Sequence, residues 1–211
     1  MVDIIEQHWN HCPHYQLSEG ITFITWRLAF TLPKHIIDLF REITETDSDI
    51  AKGIIQPHKP VSYLLGKFWE YDQALGNFQQ PGFSLNDPIL AEIVTNAFHY
   101  FNGTKYDLHA YCVMSNHIHL VIGAKKNEQG SYFLMSSVVQ SLKRYTANQI
   151  NKALGKTGQI WDDYYFDRII RDYEDYRNVI NYTLNNPVKA GIVDDSSKWK
   201  DCYFNPDLVH G

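Results

Sequence analysis

The stretch Tyr111-Cys112-Val113-Met114-Ser115-Asn116-His117-Ile118-His119-Leu120-Val121-Ile122 constrains this chain most. It is apolar and β-prone, and two histidines are set into it. Side chains alternate faces along a strand, so His117 and His119 share one face, about 7 Å apart along the chain. Ile118, Leu120 and Ile122 share the other. Two imidazoles in an apolar run are costly to bury unpaired. They are equally well spaced to hold one metal ion or to serve as hydrogen-bonded structural groups, and the pair alone does not decide between these.

A helical stretch follows, from about Ser131 to Leu154. Leu134, Val138, Leu142, Ile150 and Ala153 recur at helical intervals, and Gly155 stands where a helix end takes a left-handed residue. Tyr145 and Gln149 lie four residues apart on this helix, which puts a phenol and an amide on neighbouring surface. Asn148 is an alternative amide at the adjacent position.

The remaining elements fall in order. Ile21 to Thr31 reads as a strand. Leu32-Pro33 ends it and opens a helix marked by Ile36, Ile37, Phe40 and Ile43. Thr44 to Pro60, polar and acidic and then broken by Gly53, Pro57 and Pro60, reads as a loop. Val61 to Leu75 is a helix with Tyr63, Leu64, Phe68 and Leu75 as its apolar stripe. Asp87-Pro88 caps and starts the next helix, which Gly103 ends. Tyr106 to Val113 is a strand, and the histidine strand follows the Met114-Ser115-Asn116 turn. Ile160 to Ile170 supplies a last strand. Asp172 to Leu184 is a helix, broken by Asn185-Asn186-Pro187. This order fits an α+β, ferredoxin-like sandwich. Its central antiparallel sheet carries the histidines, and the Tyr145 helix packs across it.

The composition is that of a globular protein, 44% hydrophobic and 20% charged. No run approaches the roughly 20 apolar residues needed to span a bilayer. Cys12, Cys112 and Cys202 are few, odd and far apart. They suggest neither a disulfide framework nor a four-cysteine zinc site, and a reduced, cytoplasmic setting fits. His8, His11, Cys12 and His14 match no standard zinc spacing. The net charge of −5 argues against strong non-specific duplex binding. Some of the 14 tyrosines and 5 tryptophans are available for base stacking.

Taken together, Asn116-His117-Ile118-His119 and the downstream Ser141-Leu142-Lys143-Arg144-Tyr145-Thr146-Ala147 resemble the single-tyrosine HUH transposases of the smallest insertion sequences. Ile160-Trp161, Tyr165 to Asp172 and Asn186-Pro187-Val188-Lys189-Ala190-Gly191 resemble the C-terminal signature of their REP-associated branch. Thr22 to Leu28 with Leu32-Pro33 resembles its first strand, and Pro13-His14 its preceding Pro-His. Ser115 stands where the family usually has Pro. The resemblance covers nearly all of 1–211. It implies one HUH domain with a helical insertion around 33–102 and a C-terminal helical extension around 172–211.

The resemblance implies a metal-dependent nuclease and strand transferase acting on single-stranded or hairpin DNA. Tyr145 would be the nucleophile, leaving a 5′-phosphotyrosine. His117, His119 and Gln149 would hold Mg²⁺ or Mn²⁺, although two histidines also suit zinc. Asn116, Lys143, Arg144, Arg168 and Arg171 are candidate DNA contacts. Arg168 and Arg171 have ion pairs with Asp167 and Asp172 as their alternative, and Asn116 has a histidine-orienting role. Tyr164 and Tyr165 are the next tyrosines in line. Either a monomer or a homodimer is compatible, since insertion-sequence relatives share active sites across dimers. A domesticated, non-catalytic DNA-binding protein is the rival expectation. A His-x-His metal hydrolase with a structural Tyr145 is the third.

Overall fold

The computed structural model describes residues 4–10, 12–30, 32–51, 61–78 and 82–208. The elements are β1 (Ile4–Asn10), β2 (Cys12–Leu17), β3 (Ile21–Arg27), α1 (Lys34–Ala51), α2 (Val61–Gly76), α3 (Pro88–Tyr100), β4 (Tyr106–Val113), β5 (His117–Ala124), α4 (Met135–Leu154), β6 (Phe166–Ile169), α5 (Tyr173–Lys189) and β7 (Cys202–Phe204). Sheet order is β6-β3-β5-β4-β7, with every pairing antiparallel. Without the edge strand β7, the order is that of a β-α-β-β-α-β ferredoxin-like frame. β3, α3, β4, β5, α4 and β6 supply its parts. β1 and β2 form a separate hairpin.

Local chemistry explains several boundaries. The Asp87 carboxylate caps α3 by accepting from the Ile89 N–H at 2.9 Å, and Pro88 follows at the first helical position. Gly155 ends α4 with φ 61°, a conformation that costs glycine nothing.

The sheet separates two apolar layers. On one side Ile118, Leu120 and Ile122 pack with α3 (Leu90, Val94, Phe98) and α4 (Val138, Leu142, Ile150). On the other, Phe23 and Val121 pack with α1 (Ile36, Ile43), α2 (Phe68, Tyr71, Leu75) and α5 (Tyr176, Val179, Tyr182). β5 therefore lies between two cores and is buried over nearly its whole length.

Three expectations need correction. The polar run from Thr44 does not end α1, which continues to Ala51. Polarity without Gly or Pro is no stop signal, and residues 52–60 of the expected loop lie outside the described residues. Pro187 does not break α5, which runs through it to Lys189. In the last turn, proline's missing N–H removes only one bond, and the Gly191 region then closes the helix through Ile192 N–H to Pro187 O at 2.9 Å. The C-terminal extension is not all helical either, since β7 adds an edge strand beside β4. Within 33–102, α3 belongs to the frame, so α1 and α2 are the added helices.

Candidate metal centre and nucleophile

His117 and His119 are fully buried. They lie on the β5 face that carries Val121, so they point into the layer of α1, α2 and α5. Their Nε2 atoms are 3.1 Å apart. Each Nδ1 has a partner of its own. The His117 Nδ1 lies 2.6 Å from Asn116 Oδ1, and the His119 Nδ1 lies 2.9 Å from Thr25 Oγ1.

Asn116 settles the proton on His117. Its Nδ2 donates to the carbonyls of Leu75 and Phe78, both at 2.9 Å. Its Oδ1 is therefore the atom facing His117, and the imidazole must donate through Nδ1. That leaves the Nε2 lone pair free to face His119. A ring held by its distal N–H in this way is the usual support of a metal-binding histidine.

Asp72, on α2, closes the group. Its carboxylate lies 3.5 Å from both Nε2 atoms, one oxygen facing each ring. The donors of Asp72, His117 and His119 all fall within 4.8 Å of one another. Burial pushes the Asp72 carboxyl up to about 7, against the pull of the Tyr182 hydrogen bond and Lys189. Burial likewise pushes His117 down to about 3. His119 falls well below its ordinary value through burial, with His117 and Lys189 adding to it. Asp72 Oδ1 has no hydrogen-bond partner. Two neutral imidazoles and a carboxyl with an orphaned oxygen, all desolvated, make an N,N,O donor set that a divalent ion would satisfy.

A tyrosine meets this group, and it is Tyr182. The Tyr182 hydroxyl donates to Asp72 Oδ2. Its ring centroid is 5.7 Å from that of His119, and the Lys189 ammonium lies 4.2 Å from the ring centroid. Burial and the neighbouring Asp72 push the phenol pKa far up, while the Asn186 side chain opposes the shift. Asn186 sits one turn further along α5 and is itself buried. The α2 residue Trp69 covers the Tyr182 ring, with centroids 3.7 Å apart.

The structure does not bring Tyr145 and Gln149 to the histidines. α4 packs on the opposite face of the sheet, through Leu142, Thr146 and Ile150. Tyr145 lies off that stripe and is 53% exposed. Asn148, one position before Gln149 on the same helix, is also exposed.

Most of the expected DNA contacts are engaged elsewhere. Asn116 is completely buried in the role just described. Lys143 donates to the carbonyls of Asp162 at 2.6 Å and Asp163 at 3.1 Å, and burial lowers its pKa to about 8. Arg168 makes a two-pronged pair with Asp175, at 2.8 and 2.6 Å. Arg171 lies 3.5 Å from the same carboxylate but is largely exposed. The partner is thus Asp175, where Asp167 and Asp172 were expected: Asp172 caps α5 and Asp167 pairs with His14. Arg144 is exposed. In the His8, His11, Cys12 and His14 cluster, only the His14 side chain lies within the described residues.

Residues 84–186 match the family model for IS200-like transposases. The match takes in β4, β5 with both histidines, α4, β6 and nearly all of α5. More particularly, the chain is 28% identical over 104 residues to a REP-associated tyrosine transposase of Haemophilus influenzae, covering 47% of this chain. It is 27% identical over 106 residues to the one of Escherichia coli, covering 50%. The aligned region spans 59% of the length of each relative. A solved REP-associated tyrosine transposase bound to a REP hairpin shares the fold. Its TM-score is 0.51 at 17% identity, over 97% of this chain and 86% of that one. The resemblance read from the sequence is borne out. Among the described residues no helix is long and apolar enough to cross a membrane.

Proposed function

We propose that the chain is a metal-dependent enzyme that nicks and joins single-stranded or hairpin DNA, with Tyr182 rather than Tyr145 as its nucleophile. One observation carries this reading. Of the tyrosines considered, Tyr182 has its hydroxyl on the donor group itself, hydrogen-bonded to the carboxylate that faces both imidazoles. The relatives are named transposases, and the solved neighbour is bound to a REP hairpin.

His117 and His119 would hold the ion, with Asp72 as the third donor until a phosphate oxygen replaces it, and with Mg²⁺ or Mn²⁺ the expected choice. When bound, a divalent ion offsets the negative charge of a phosphodiester and orients it for attack. Asn116 and Thr25 keep the imidazole lone pairs aimed at the site. The Tyr182 oxygen attacks phosphorus as its proton passes to solvent, and the bond from phosphorus to the 3′-oxygen breaks. That oxygen departs as a hydroxyl after gaining a proton, and the 5′-phosphate stays on the tyrosine. Lys189, beside the phenol, supplies positive charge for the phosphate. Attack by a later 3′-hydroxyl reverses the step without ATP.

The test is covalent capture. Labelled hairpin DNA and Mn²⁺ are incubated with wild type, Tyr182→Phe and Tyr145→Phe, then run on a denaturing gel. Tyr182→Phe forms no adduct, and Tyr145→Phe forms as much as wild type. Persistence of the adduct in Tyr182→Phe, or its loss in Tyr145→Phe, would sink the assignment. The enclosure of the site favours the rival reading, a DNA-binding protein without turnover. Absence of any adduct in wild type would decide for it.

A further inference from the structure

We propose that α2 is a cover over the catalytic group, with Asp72 as its plug, and that DNA reaches Tyr182 only when α2 is displaced. The proposal rests on the catalytic reading above and deepens it. His117, His119 and the Asp72 side chain have no exposed surface, and Tyr182 is 9% exposed. A phosphodiester with a nucleotide on each side cannot reach atoms so enclosed.

The element over them is identifiable. α2 sets Trp69 on the Tyr182 ring and Asp72 between the phenol and both imidazoles. Its last residue, Gly76, passes close over His117. A Cβ placed there would lie 3.9 Å from His117 Cε1 and 3.8 Å from the Cβ of Ala190, just beyond α5. The Asp72 carboxyl accepts the nucleophile's hydrogen bond. A scissile phosphate oxygen must take that same place for attack to occur.

α2 is also the covering element that the central frame does not require, and displacing it would lift Phe68, Tyr71 and Leu75 from their layer. It lies outside the ferredoxin-like frame, because α3 already makes the crossover between β3 and β4. It also lies outside residues 84–186, which carry the family match. α5 cannot serve as the cover, because it carries the nucleophile.

The Gly76–Ala190 approach provides the test. A Cβ separation of 3.8 Å suits a disulfide, and Gly76 has no positive φ. Gly76→Cys with Ala190→Cys, in the full chain, would pin α2 to α5 one helical turn from Asp72. Two readouts are taken on the oxidised and reduced protein. The first is adduct formation with hairpin DNA and Mn²⁺. The second is modification of His117 and His119 by diethyl pyrocarbonate without metal or DNA, read by peptide mass spectrometry. Ala190→Cys alone controls for native Cys12, Cys112 and Cys202.

Oxidation should lower both readouts at least about 20-fold, and reductant should restore them to within about threefold of wild type. Equal labelling in the two redox states would overturn the cover. If wild type forms no adduct, the nucleophile reading fails, and labelling still decides the cover. Should the double variant not fold, Trp69→Ala loosens the same helix without a cross-link. It should raise histidine labelling by about threefold or more, since it favours the open form. Unchanged labelling would count against the proposal.

Discussion

Replacing Asp72 by Asn should stabilise the metal-free protein while removing its response to metal. The Asp72 carboxyl sits at about 7 in the fold, against an ordinary value of 3.8, with burial as the main cause. Between these pH values the folded chain holds a proton that the unfolded chain releases. Stability therefore falls as pH rises through this window and levels off above it. At ~1.4 kcal/mol per tenfold change in proton affinity, keeping the carboxylate ionised at pH 8 costs the fold on the order of 4 kcal/mol. Asn has nearly the same shape. It still accepts from Tyr182 and faces the imidazoles, but it carries no charge. The histidines behave oppositely, because their lowered values make stability fall as pH drops below about 6.5, and both proteins share that loss. The gap between Asp72→Asn and wild type isolates Asp72: near zero at pH 4, full at pH 8. For a chain of this size it amounts to a Tm higher by on the order of 5–15 °C at pH 8. Thermal unfolding in EDTA from pH 4 to 9 measures it. Parallel pH profiles, or a less stable variant at pH 8, would refute the reasoning.

Mn²⁺ at about 100 times its Kd should stabilise wild type by ~2.7 kcal/mol, and thermal shift should find no such gain in His119→Ala. Gly123→Ala should cost about 1–3 kcal/mol, because the new Cβ would lie 3.0 Å from His109 Nε2; denaturant unfolding should show most of this loss gone in the double variant with His109→Ala. Arg168→Met should lower stability by about 1–3 kcal/mol, because the buried Asp175 carboxylate keeps only Arg171 as its partner. Hairpin affinity, measured by anisotropy, should change less than it does for exposed Arg144→Ala.

Much of the frame was legible because its signals are local. Asp87-Pro88, Gly155 and the alternation through His117 and His119 each act within a few residues, and each does what its chemistry suggests. The signal for the tyrosine proposed as nucleophile was not local. Tyr145-x-x-x-Gln149 and Tyr182-x-x-x-Asn186 have the same one-turn spacing, and the former follows the histidine strand directly. What separates them is the side of the sheet each helix covers, which depends on the path of the whole chain. One clue was present: Tyr145 stands off the stripe Leu142, Thr146 and Ile150, whereas Tyr182 lies on the apolar face of α5. Asp72 left a fainter trace, as a lone carboxylate on the stripe Phe68, Tyr71 and Leu75. Its meaning needed the contact with β5, 45 residues away, which no periodicity reveals.

The histidine strand faces two cores at once, and this sets the mechanical tolerance of the site. Rotating the strand, or slipping it by one residue, would drag Ile118, Leu120 and Ile122 out of the layer beneath α3 and α4. Each such side chain resists with about 1.5–3 kcal/mol of burial. A slip would also push aliphatic groups in beside Asp72 and Tyr182. The imidazoles are thus held to their positions by packing on the far face of the sheet. The helix bearing Tyr145 acts as ballast behind them, and its aliphatic residues should tolerate less change than its distance from the chemistry suggests.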